Sequence, residues 1–179
     1  MTKRMLGLAG CVALACGITW AGRPLAVDDA EPLDAGQVQI EVGEVYREDP
    51  TYTHFDFPIG LTYGLVPQVE VGVGFGGQLE ERVETGNALI RHRGLGDLTL
   101  VGKWQWFRAE GRIPAQAVAP TVKFPTAERS DGLGRGETDY DLTWISSSSF
   151  GEKSGVHVNL GYTWVGGSSD DELGDIVHF

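Results

Sequence analysis

The sequence predicts an all-β protein: an antiparallel up-and-down transmembrane β-barrel, carried as an incomplete, C-terminally truncated copy. Three observations point there. Segments of about ten residues alternate apolar and polar side chains, the period of a strand with a different medium on each face. A tilted strand of about ten residues crosses a bilayer, whereas soluble strands more often run about five or six. The connections between segments alternate short and long, as in barrels with short turns at one end and longer loops at the other.

In chain order, residues 1–21 read as an export signal. Lys3 and Arg4 make a positive start, Met5 to Ile18 an apolar stretch too short to span as a helix, and Thr19-Trp20-Ala21 a small-residue cleavage site. The competing reading is a lipoprotein signal at Leu8-Ala9-Gly10-Cys11, with a very short apolar stretch ahead of the cysteine. Cys11 and Cys16 both lie in the signal, so a chain cut after Ala21 has no thiol. A disulfide framework, a thiolate metal site and a cysteine nucleophile are then excluded. Residues 22–36, with Arg23-Pro24 and Asp28-Asp29-Ala30-Glu31-Pro32, read as a periplasmic arm.

The barrel is expected over residues 37–179, as about seven strands and a partial eighth. The first, Gln37 to Tyr46, sets Val38, Ile40 and Val42 against Gln39, Glu41 and Gly43. The second, Thr53 to Tyr63, aligns Phe55, Phe57, Ile59, Leu61 and Tyr63, with Pro58 removing a ladder donor on the other parity. The third, Gln68 to Phe75, aligns Val69, Val71, Val73 and Phe75. The fourth and fifth form a hairpin. Leu98, Leu100, Trp104 and Trp106 oppose Asp97, Thr99, Lys103 and Gln105, and after the turn Val118, Val122 and Phe124 oppose Ala117, Ala119, Thr121 and Lys123. The sixth, Thr138 to Ser148, has Tyr140, Leu142 and Trp144 outward; the seventh, Val156 to Val165, has Val156, Val158, Leu160, Tyr162 and Trp164 outward. Short connections run Gly64–Pro67, Arg108–Pro114 and Gly151–Gly155; long ones run Gly76–Gly96 and Pro125–Glu137. The chain reaches Asp175-Ile176-Val177-His178-Phe179 as if inside an eighth strand, and Asp175 spoils the outward apolar row of Val177 and Phe179, hence the expected truncation; the alternative is a complete eight-stranded barrel, the smallest workable closure. A secreted β-sandwich is the competing fold, its aromatics packed between two sheets.

Composition narrows the function. A hydrophobic fraction of 41% suits barrel strands, in which only alternate residues are apolar. A net charge of -11 opposes nucleic acid, which demands a basic footprint.

Several short segments recur in an order that resembles a known family. They are Arg23-Pro24-Leu25 through Ala30, Gly60-Leu61-Thr62-Tyr63-Gly64 and Val69-Glu70-Val71-Gly72. Gly94-Leu95-Gly96-Asp97-Leu98, Lys123-Phe124-Pro125-Thr126, Gly134 to Tyr140 and Asn159-Leu160-Gly161-Tyr162 follow. The set resembles the "MetA-pathway of phenol degradation" family of outer-membrane proteins. The resemblance implies an outer-membrane β-barrel associated with uptake of aromatic or other hydrophobic compounds. The family's barrel is longer, with several more strands.

Glu70, Lys103, Lys123, Asp139, Asp141 and His157 fall on the polar parity and are the lumen-lining candidates. Charges of both signs inside a barrel either line a selective path or pair as internal structure. Lys123 is expected to meet Asp139 or Asp141. Lys103, nearer the turn, is expected to stand free and bias passing solutes toward anions. Ser146 to Ser149 lacks the G-x-S-x-G elbow of a nucleophile. His54, His92, His157 and His178 lack metal-ligand spacing. Gly132, Gly134 and Gly136 read as a flexible loop rather than a phosphate cradle, and Asp170-Asp171-Glu172 as a solvated acidic loop. No catalytic residue, metal or cofactor is expected, and no enzyme. The partners expected are outer-membrane lipid, the barrel-assembly machinery and a small solute; nucleic acid is not one. The location expected is the outer membrane after signal-directed export. The functions in view are a channel or transporter for small, aromatic or hydrophobic compounds, and a non-transporting structural or adhesive barrel whose loops bind ligands.

Overall fold

The computed structural model describes residues 28–49, 52–83, 89–130, 133–150, 154–167 and 174–179. The expected signal, residues 1–21, the first part of the arm, residues 22–27, and the acidic loop at 170–172 lie outside the described residues. The strands are β1 (Val38–Val42), β2 (Val45–Asp49), β3 (Tyr52–Val66), β4 (Val69–Val83) and β5 (Leu89–Leu95), then β6 (Leu98–Phe107), β7 (Ala115–Phe124), β8 (Asp139–Phe150), β9 (Ser154–Trp164) and β10 (Ile176–His178). All pair antiparallel in one sheet, in the order β1-β3-β4-β6-β7-β8-β9-β10, with β2 also on β3 and β5 also on β4. This is an up-and-down meander without helices among the described residues. Its edges, β1 and β10, do not pair with each other there, so the sheet is not closed.

Two breaks have local causes. β1 and β2 keep one register on β3, with Val42 opposite Ile59 and Val45 opposite Asp56. The gap falls at Pro58, which accepts from the Gly43 N–H at 2.9 Å but has no N–H to return. One proline therefore divides what the sequence reads as a single first strand. Between β5 and β6 the cause is an inserted residue. Leu95 pairs with Gly77 and Thr99 with Gly74, so Gly96, Asp97 and Leu98 face only Phe75 and Gly76. This is a β-bulge, a device that re-aims a side chain and sharpens local twist.

The expected loop Gly76–Gly96 needs correction. β4 continues to Val83 and pairs with β5, leaving only 84–88, outside the described residues, as the connection. Gly76-Gly77 and the charged run Glu80-Glu81-Arg82 interrupt the apolar alternation, which is why the segment reads as a loop. Backbone pairing does not require that alternation: a hairpin that runs past an apolar band can be polar on both faces. The asymmetry of connections thus rests on 125–138, between β7 and β8, against short turns after β3, β6 and β8.

The two faces differ as the alternation predicts. On one, Ile40, Phe57, Leu61, Tyr63, Val71, Phe75, Leu100, Trp104, Trp106, Tyr140, Leu142, Leu160 and Trp164 are all exposed. On the other, Lys103, Gln105 and Ser147 are buried. A water-soluble sandwich would cover the apolar face with a second sheet. Among the described residues there is one sheet, so the sandwich reading falls. The packed apolar cluster is small: Ala30, Ala115, Ala117, Ala119 and Ile145, all on the polar side.

Candidate functional site

The polar face holds the candidate site, and the arm is part of it. The sequence reads the arm as a periplasmic segment. In the structure its described part, residues 28–36, lies across the polar face at the end of the short turns. Asn159 on β9, with its amide oriented to satisfy both groups, donates to the Asp28 carbonyl at 3.0 Å and accepts from the Asp28 N–H at 3.1 Å. The Ala30 N–H donates to Ser147 Oγ on β8 at 2.8 Å. The Leu33 N–H donates to Glu70 Oε2 on β4 at 2.7 Å. The Gly36 N–H then donates to the Gly64 carbonyl on β3 at 2.8 Å, and Gln37 leads into β1. The arm thus crosses the sheet from β9 to β3. Small inward side chains on β7, Ala115, Ala117 and Ala119, leave room for it, and Ala30 is fully buried among them.

Lys103 sits at the centre of this seat. Its Nζ lies 2.8 Å from Asp28 Oδ2 and 3.0 Å from Glu70 Oε1, and its side chain is 5% exposed. Glu70 and Lys103 face each other directly across β4 and β6, so the register sets the pair before the arm joins it. The expectation that Lys103 stands free to attract anions is therefore corrected: the arm supplies its second carboxylate. His157, on β9, meets Ser147 Oγ through Nδ1 at 2.9 Å, and Ser147 is held in turn by the arm.

A second cluster lies toward the long-loop end. Lys123 Nζ is 2.5 Å from Asp139 Oδ2 and 3.7 Å from Asp97 Oδ2, so the expected contact between Lys123 and Asp139 is present. Their strands place Lys123 opposite Asp139. The bulge turns Asp97 inward, where its Oδ1 accepts from the Ala127 N–H at 3.0 Å. Arg135 completes the cluster through an ion pair with Asp139. Asp139 Oδ1 also accepts from the Gly166 N–H at 3.0 Å. The described part of 125–138 is thus fastened to the strands, with Ala127 and Leu133 buried; a freely flexible loop does not describe it. Asp141 forms a third group, with Oδ2 at 2.7 Å from His178 Nε2 and 2.8 Å from Thr163 Oγ1.

Sequence reasoning missed Asp28, Asn159, Ser147, Asp97 and Arg135 as members of these clusters. A signal existed for the arm: three alternate alanines on the polar parity of β7 leave a channel that large side chains would fill. Gly64 is a second signal. A Cβ there would overlap the backbone carbonyls of Leu33 and Asp34, so the arm can cross only above a glycine. Gly64→Val is accordingly expected to lift the arm. Cleavage at Glu31 by a glutamate-specific protease should become severalfold faster than in the unsubstituted protein, and unchanged cleavage would count against the seat.

The fold and site together define an antiparallel β-meander with an apolar outer face and an ion-paired inner one. A family model described as "Putative MetA-pathway of phenol degradation" matches residues 21–179, and the chain belongs to that family. No curated protein and no solved structure matches the chain.

Proposed function

We propose that this protein is an outer-membrane β-barrel that acts as a channel or transporter for small aromatic or hydrophobic compounds. The observation that carries the membrane reading is the inversion of the two faces. Large apolar side chains are exposed along strands of bilayer-crossing length: β6 has 10 residues, β8 has 12 and β9 has 11. An apolar face exposed on β1, β3, β4, β6, β8, β9 and β10 exceeds what a soluble monomer tolerates and suits lipid. The charges on the other face occupy a lumen, where their pairing satisfies them. The solute class rests on the family, whose description places it with phenol degradation.

The alternative, a structural or adhesive barrel that does not transport, draws support from the arm, which lies across the polar face and occupies it. Fractionation and planar-bilayer recording test both. The mature chain is expected in the outer-membrane fraction, released only by detergent, and the closed barrel of a full-length version is expected to conduct. Recovery from the soluble periplasm without detergent removes the membrane reading. A folded barrel without conductance removes the channel and favours the structural role.

A further inference from the structure

The seat under the arm is built from wall residues, and its occupant is the chain's own Asp28. The outer face belongs to the lipid reading above. The Lys123 cluster closes on itself through Asp97, Asp139 and Arg135. The arm's seat differs because each wall group there is completed by an atom of the arm. Lys103 takes a carboxylate at 2.8 Å. Asn159 takes an amide N–H and a carbonyl at 3.1 and 3.0 Å. Ser147 Oγ and Glu70 Oε2 each accept an N–H, at 2.8 and 2.7 Å. The first two contacts involve one residue, Asp28, so a single small molecule could reproduce them.

We propose that Lys103, Glu70, Ser147 and Asn159 form a binding site for a small carboxylate carrying an amide or another N–H donor, with Asp28 its resting occupant. Charge supports this. Without the arm, Lys103 and Glu70 are a neutral pair, and Asp28 adds one negative charge on the face of Lys103 that Glu70 leaves open. A carboxylate ligand restores that charge. A ligand lacking the donor leaves the half-buried Asn159 amide oxygen without the N–H it accepts from Asp28, which disfavours it. A ligand lacking the carboxylate leaves Lys103 with one partner. The arm competes as a tethered ligand, at an effective concentration on the order of millimolar for a short tether. Removing the Asp28 carboxylate should therefore raise affinity for a free carboxylate. As the solute site of a channel this rests on the preceding reading; as a binding site it stands without it.

The test is calorimetric titration of N-acetyl-L-aspartate into the detergent-purified full chain. Asp28→Ala alters only the arm and leaves every wall group in place. It is expected to bind the probe at least about tenfold more tightly than the unsubstituted chain, given the effective concentration removed. Leu33→Pro, which deletes the N–H on Glu70, should shift affinity in the same direction. Adding Lys103→Met or, where that fails to fold, Asn159→Leu to Asp28→Ala should abolish the gain. N-acetyl-L-asparagine, isosteric but uncharged on its side chain, serves with its α-carboxyl amidated as the probe without a carboxylate and should bind weakly. No binding by Asp28→Ala, or equal binding by it and the unsubstituted chain, overturns the site. A barrel that conducts without binding the probe overturns this site alone. One that binds without conducting overturns the channel alone.

Discussion

Replacing Lys103 by methionine is expected to destabilise the folded protein by about 3–5 kcal/mol, the cost of leaving a buried charge without its partner. Methionine preserves most of the stem and deletes the ammonium. Glu70, whose side chain is 13% exposed, then keeps the Leu33 N–H but loses its cation. Asp28 contributes less to the loss, because its side chain is 47% exposed and water can replace the lysine. The argument predicts a rescue. With Glu70→Met added, the uncompensated carboxylate is gone, and an apolar pair in place of an ion pair is often close to neutral. The double variant should therefore be more stable than Lys103→Met alone, giving a large coupling in a double-mutant cycle. Urea unfolding, in lipid vesicles, of the unsubstituted protein, Lys103→Met, Glu70→Met and the double variant measures it. Equal midpoints for Lys103→Met and the double variant, or a Lys103→Met loss below about 0.5 kcal/mol as for ordinary surface positions, would refute the buried Lys103–Glu70 pair.

Much of the sheet is legible because a strand writes its faces at alternate positions. The run Leu98 to Trp106 assigns Lys103 and Gln105 to the inner face, and both are buried there. Asp139 opposite Lys123 follows from the strand register once the hairpins are placed. Pro58 also marks a break, but in the neighbouring strand, between β1 and β2, while its own strand β3 runs through it. What the alternation conceals are features that do not depend on it. The long β4–β5 hairpin is held by backbone bonds, so its composition reads as loop. The bulge shifts the register by one residue, a geometric event recorded only faintly in Gly94-Leu95-Gly96-Asp97. The arm is harder still. Asp28 and Asn159 are 131 positions apart by their numbering, and no local pattern ties them together. An acidic, proline-containing segment ordinarily reads as solvated; here its polar groups find wall partners, and Lys103 is spoken for.

Leu160→Arg is expected to cost about 2–4 kcal/mol, the penalty for arginine on the lipid face near the bilayer midplane. Leu160 lies near the middle of the 11-residue β9, five or more residues from the turn, and half of its surface is exposed. Its cross-strand neighbour is Trp144, also on the outer face. The environment can be identified by pairing this substitution with Leu160→Phe. Lipid tails rearrange around a larger apolar side chain, so phenylalanine should be tolerated. A rigid protein core would instead penalise it by about 1–3 kcal/mol through overpacking. Water would accept arginine there with a change within about 0.5 kcal/mol. Glu110→Arg, in the exposed turn after β6, supplies the surface reference, and its effect should be small. Unfolding in vesicles separates the three environments. A large loss for arginine with little for phenylalanine identifies lipid, losses for both identify a packed interface, and tolerance of both identifies water. Either of the last two outcomes removes the membrane-facing assignment of this surface, and with it the barrel reading that the inverted faces support.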